Sequence, residues 1–389
     1  MQIIRHVLRT FVSICLLLGV LSFASPLASA QKYLFYVGTY TQDTKSKGIY
    51  AYRYDAVSKQ ITSLGLAAET TNPSFLAISP NGRFLYAVNE VPNYKGPNSG
   101  GVSAFSIDKA SGKLIFLNEV PSRGADPCYI TVDKTGKYVL VANYTGGSLA
   151  VFPVLEDGKL GEASDFVQHT GHGANPQRQE GPHAHSIDLS PDNRFAFVDD
   201  LGLDALLTYK FDSHTGKLTA LNGAVTRFDP GAGPRHFALH PSGKFAYVIA
   251  EMQMSVTALT ANLEDGTFKQ LQTISTVPPD FKGRNDDAEV AVDPSGRYLY
   301  ASNRGHDSII WFAIDPGKGT LSPLGYTAAM IKEPRSFEID PSGTLLFAEN
   351  QKSDNIVVYR MDEKNGSLTP TGQTLDVSSP VCVKFVQVP

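Results

Sequence analysis

An apolar strand, a turn such as Pro-Ser-Gly-Lys and an aromatic-rich strand ending near Asn recur through the chain. The clearest copies are Ser74–Asn89 (SFLAISPNGRFLYAVN), Arg235–Ala250 (RHFALHPSGKFAYVIA) and Arg335–Asn350 (RSFEIDPSGTLLFAEN). Each is followed by a third strand, such as Ser308–Ile314, and by a Gly-Lys-Leu or Gly-Ser-Leu turn that opens a fourth, with almost no helical periodicity between copies. The mean spacing is about 51 residues, in the range of a propeller blade. Together these observations predict an all-β fold, a seven-bladed β-propeller forming one domain over residues 31–389.

Counting back from each turn places the first-strand starts at Ser74, Cys128, His185, Arg235, Ala288, Arg335 and Val381. Second strands end at Thr39, Glu90, Tyr144, Leu201, Glu251, Arg304 and Gln351. The second series begins before the first, because Tyr33–Thr39 lacks a first strand of its own. Its partner is Val381–Val388, so the N- and C-terminal strands share one blade and close the ring, which removes two free sheet edges.

Residues 1–30 are a different kind of sequence. Arg5, His6 and Arg9 precede an apolar run from Phe11 to Ala24, and Ala28-Ser29-Ala30 has the small-x-small form of a signal-peptidase site. The run falls short of the ~18 residues that cross a bilayer as a helix. The segment therefore reads as a cleaved secretion signal with a mature start at Gln31, against the alternative of a retained anchor. It predicts a periplasmic or secreted protein with no stable membrane anchor. Cys15 leaves with the signal, and Cys128 and Cys382 sit in apolar strand contexts as small buried hydrophobes.

The chain of 389 residues is 42% hydrophobic and 19% charged, with 34 Lys+Arg against 38 Asp+Glu. That is ample material for a core, and with no basic cluster it argues against nucleic acid as a partner. No phosphate-binding loop, Gly-x-Ser-x-Gly elbow or cysteine in a basic setting is present.

The start of a first strand and the end of a second lie at the same face of the ring, and first strands line the central channel. Both series therefore describe one channel mouth. His185, Arg235 and Arg335 start first strands there, Glu251 and Arg304 end second strands, and Glu90 adds another acid. Arginine can grip a carboxylate or phosphate bidentately and stabilise an oxyanion, so the set suits an anionic, carbonyl-containing small molecule. The bland alternative is an interblade belt of salt bridges. The long segment from Gly171 to His185 adds Arg178, Glu180 and His183. With His169 and His172, its histidines offer a possible Zn set, but nearby arginines oppose a dication, and an acid–base pair of His185 and Glu251 is the better reading.

Several stretches carry a likeness: NPQRQEGPHAHS through His185, GAGPRH with Arg235, Glu251 after AYVIA, Asn303-Arg304, and EPRSF with Arg335. In these the chain resembles the seven-bladed propeller lactonase family, which contains propeller-type 6-phosphogluconolactonase and 3-carboxymuconate-lactonizing enzyme. The resemblance spans the chain after residue 30. It implies a functional set of one His, two Arg and one Glu, corresponding to His185, Arg235, Glu251 and Arg304; the rim and the long segment themselves offer Arg335, His183, Arg178 and Glu90 as substrate-binding candidates. It also implies a lactone as substrate or product and no metal or organic cofactor.

The expected function is hydrolysis of an aldonolactone-like substrate by a monomer. Glu251 or His185 would activate water, and Arg235 and Arg304 would hold the acid group and the oxyanion. The rival chemistry is a muconate-type cycloisomerase running ring closure. The rival class is a non-catalytic propeller, whose mouth residues would pair with one another and leave no room for a ligand.

Overall fold

The computed structural model describes residues 32–388, which form seven antiparallel four-stranded sheets in a ring. The secretion signal expected over residues 1–30 and the start at Gln31 lie outside the described residues. The strand Pro380–Val388 pairs with Lys32–Thr39, from Lys32 opposite Val388 to Gly38 opposite Cys382, and Lys32–Thr39 pairs on its other side with Gly48–Asp55. The termini therefore close the ring as the repeat pattern predicts.

Three repeated contacts explain why the motif folds this way. At the turn between first and second strands a side-chain acceptor collects backbone N–H groups. Asp340 Oδ1 takes those of Thr344 and Leu345, both at 2.8 Å, and Asp293 and Asp133 do the same in their blades. Gly343 supplies the positive φ of 70° that this turn requires. At the opposite end of the second strand a buried Asn pins the loop leading into the first strand: Asn89, Asn303 and Asn350 donate to the carbonyls of Thr71, Thr276 and Met330. Between blades, a second-strand tyrosine reaches the next sheet's outer turn, with Tyr86 donating to Gly158 O, Tyr247 to Gly319 O and Tyr300 to Gly366 O. These hydroxyls are satisfied while their rings fill the apolar layer between sheets.

The first strands start where counting places them, with one notable departure. The strand expected at His185 is reduced to Asp188–Leu189. Upstream, the hairpin continues through His185 N donating to Asp199 O and an isolated bridge between Ala184 and Asp200. The pattern also gave no warning of a register shift at the start of several inner strands. Pairing skips Cys128 between Pro127 and Tyr129, Arg235 between Pro234 and His236, and Arg335 between Pro334 and Ser336. A bulge re-aims the skipped residue, so each of these three blades offers one side chain at the mouth that the ladder does not constrain.

Candidate active site

Two of the bulged residues, Cys128 and Arg335, line a cavity of about 390 Å³ at the channel mouth, together with Glu90, Tyr144, Arg178, His185, Glu251, Arg284, Asp286, Arg304 and Glu333. Glu251 is its electrostatic centre. Oε1 accepts from Arg178 Nη2 at 2.5 Å, and Oε2 accepts from Arg235 Nε at 3.1 Å and Arg304 Nη2 at 2.8 Å. Burial alone would raise the carboxyl's pKa, but Arg304, Arg235 and Arg178 overcome it and pull it down to about 2.

The arginines divide sharply. Arg235 lies beneath the cavity, against a smaller void, and its guanidinium also donates to Ala288 O at 2.5 Å. Burial, reinforced by the charges of Arg304 and Arg335, brings its pKa down to about 10. Arg304 spends further donors on the carbonyls of Asp286 and Asp287. Arg335 differs from both: its guanidinium stacks 5.2 Å over the Tyr40 ring and, among the described residues, has no carboxylate within ion-pair distance. Glu90 stands nearby, accepting from Tyr40 Oη at 2.8 Å.

His185 presents its ring to the same cavity. The Cys128 thiol donates to His185 O at 3.3 Å and lies 3.8 Å from Nδ1, while Nε2 makes no hydrogen bond among the described residues. Burial first, then the charges around Arg235, His236 and Arg335, push the imidazole's pKa well below 6.5, so it is neutral at physiological pH. Cys128 is a free, buried thiol whose pKa burial pushes up. Counting from the turns placed Cys128 in the mouth ring as a first-strand start, but sequence reasoning assigned it no part in the site.

The long segment is fastened by one buried carboxylate. Asp200 accepts from His169 Nδ1 at 2.6 Å at the segment's start and from His183 N at 2.8 Å near its end. Between them Gln179 Nε2 donates to Asp204 and Leu201 O, which sets Arg178 over the mouth. The histidines do not converge. His169 is held by Asp200 and Tyr209, and His172 is exposed on Gly173 O. His183 donates to Tyr144 O and stacks on the Tyr144 ring at 4.5 Å. His183 thus stands behind Tyr144 and away from the cavity lining.

Of the sequence candidates, His185, Glu251, Arg304, Arg335, Arg178 and Glu90 line the cavity, Arg235 supports it from below and His183 from behind. Sequence reasoning missed Tyr40, Asp286 and Glu333. Glu333 precedes Arg335 in EPRSF, and its neighbourhood was the available signal. The belt of paired charges exists around Glu251, yet it leaves an open cavity, contrary to what a purely structural mouth would show.

The family model described as "Lactonase, 7-bladed beta-propeller" matches residues 34–385. The chain belongs to the seven-bladed β-propeller lactonase family. Within reach of this family is 6-phosphogluconolactonase of Bacillus subtilis, 40% identical over 355 residues that cover 91% of this chain and 99% of that one. A 6-phosphogluconolactonase of Formosa agariphila is 35% identical over 308 residues, covering 78% of this chain and 85% of the relative. Among solved structures, the periplasmic gluconolactonase PpgL of Pseudomonas aeruginosa superposes with a TM-score of 0.84 at 33% identity, covering 92% of this chain and all of that one. Among the described residues, no helix of this lactonase-family chain is long and apolar enough to cross a membrane.

Proposed function

We propose that this chain hydrolyses a sugar-acid lactone, with His185 as general base and Arg335 as the cation that meets the oxyanion. One observation carries the reading: an imidazole nitrogen and a guanidinium, neither hydrogen-bonded nor ion-paired among the described residues, face one open cavity. Water adds to the lactone carbonyl as His185 Nε2 takes its proton, and the carbonyl π electrons move to oxygen opposite Arg335. Collapse of the tetrahedral intermediate breaks the ring C–O bond. The imidazolium returns its proton to the departing alkoxide, and the hydroxy acid so formed ionises to its carboxylate by releasing the remaining water proton to solvent.

Glu251 is a poor base by comparison. Its lone pairs are taken by three guanidinium groups and its pKa is near 2. Its role is to gather Arg178, Arg235 and Arg304 into a fixed wall. His185 becomes more basic as the reaction proceeds, because the forming oxyanion offsets the Arg335 charge that contributes to its depressed pKa.

The lactonase names of the relatives support the reaction class, and the periplasmic location named for the Pseudomonas aeruginosa protein fits the secretion-signal pattern of residues 1–30. The test is pH-stat titration of acid release from aldonolactones by the purified protein, before and after EDTA. Acid release above the spontaneous rate, unchanged by chelation, is expected. Absence of acceleration, or closure of a muconate to its lactone in its place, would overturn the reading.

A further inference from the structure

We infer that the site selects an uncharged polyhydroxy lactone over a phosphorylated one, and that Glu333 and Glu90 set this choice. The inference rests on the lactone-hydrolase reading and specifies its substrate class.

The argument is one of charge. Four arginines and four carboxylates line the cavity, and Arg235 lies just below. Arg178, Arg235 and Arg304 are committed to Glu251, and exposed Arg284 is held by Asp286 at 3.1 Å. Arg335 is left as the cation without an ion pair, in an environment that carries one net positive charge when His185 is neutral.

A neutral lactone brings no charge in, develops one negative charge on its carbonyl oxygen at the transition state, and ends as an acid that ionises to a carboxylate. The unpaired Arg335 matches that charge where it appears, and so favours the transition state over the bound substrate. A phosphorylated lactone brings nearly two negative charges before any chemistry. It must either compete with Glu251 for its arginines or compete for Arg335 itself.

The two remaining acids of the lining, Glu90 and Glu333, oppose it. Glu90 lies close to Arg335: against the lowering effect of burial, Tyr40 and then Glu90 raise the guanidinium's pKa. Glu333 is fixed at the rim by its backbone: its N–H donates to Asp307 Oδ1 at 2.8 Å and its carbonyl accepts from Gln351 N at 3.1 Å. Its carboxylate has no cation partner among the described residues. Such oxygens accept hydroxyl donors of a polyol and repel a phosphate.

The experiment compares kcat/KM for D-glucono-1,5-lactone and its 6-phosphate, above the spontaneous rates and at low and high salt, in the parent and in Glu333→Gln. A preference of about tenfold or more for the unphosphorylated lactone is expected, corresponding to ~1.4 kcal/mol. Glu333→Gln should narrow the gap by about threefold or more, most strongly at low salt. Because the Glu333 carboxylate has no partner to lose, the variant should fold as the parent does. Equal or better use of the phosphorylated lactone overturns the inference and leaves the hydrolase reading standing. A ratio unmoved by Glu333→Gln overturns the role given to that acid. Turnover of neither lactone refutes the hydrolase reading, and this inference with it.

Discussion

Arg235 and Glu251 stand at the open end of one hairpin, sixteen residues apart in sequence, and meet there through Nε and Oε2 at 3.1 Å. The hairpin register that brings them together places Pro234 opposite Ala250, and the bulge that follows turns Arg235 towards the acid. The pair is buried, so each partner is costly to leave alone.

Glu251→Gln should therefore unsettle the fold as well as the site. It leaves buried Arg235 and mostly buried Arg304 without their shared counter-charge, and a loss of about 3–5 kcal/mol in a denaturant titration is expected. A variant as stable as the parent would show that the guanidinium groups find other partners.

The pH dependence of kcat/KM should have a single acid limb. The folded pKa of His185 lies well below 6.5, and Glu251 near 2 does not titrate in the usual assay range. The rate should be flat from neutrality upward and fall with decreasing pH as one group is protonated, once spontaneous hydrolysis is subtracted. A limb centred near neutrality would point to another base.

Glu349 is fully buried, and among the described residues neither of its oxygens has a hydrogen-bond partner. Burial and the nearby acids Glu338 and Glu289 raise its pKa well above 4.5, so the folded state keeps a proton that the unfolded chain releases. Stability from this group is therefore lost as pH rises above the unfolded value, by at most ~1.4 kcal/mol per pH unit. Asp188, raised to about 7, has the same sign between its unfolded pKa and 7. Glu349→Gln should be more stable than the parent at pH 8, with the advantage shrinking towards pH 5 in denaturant midpoints.

Removing residues 381–389 strips the inner strand from Lys32–Thr39 and exposes sheet edges on both sides of the gap. Insolubility or loss of a cooperative unfolding transition is expected. A soluble truncation with the parent's midpoint would contradict ring closure.

The repeat made the architecture readable because each blade repeats the same contacts. The Asp-capped turn, the buried Asn and the interblade Tyr all leave marks at fixed spacing, and the unpaired Tyr33–Thr39 revealed how the termini meet. The site was legible as a rim, since counting from the turns finds His185, Arg235, Glu251, Arg304 and Arg335 whatever their partners. Their division of labour was not. Which arginine stays free depends on bulges at Arg235 and Arg335 and on how far Arg178 reaches from its loop, and these are distances across blades rather than along the chain. For the same reason His183, which alternates with His185 in sequence, ends behind Tyr144.

The most direct test of the account is steady-state hydrolysis of D-glucono-1,5-lactone by His185→Asn, with folding checked by circular dichroism. The account predicts a fall in kcat on the order of 10²-fold or more with KM little changed, because the substitution removes proton transfer but keeps a similar polar group in the wall. A kcat within about threefold of the parent, far short of the loss expected for a general base, would contradict the assignment of His185 as the group that activates water.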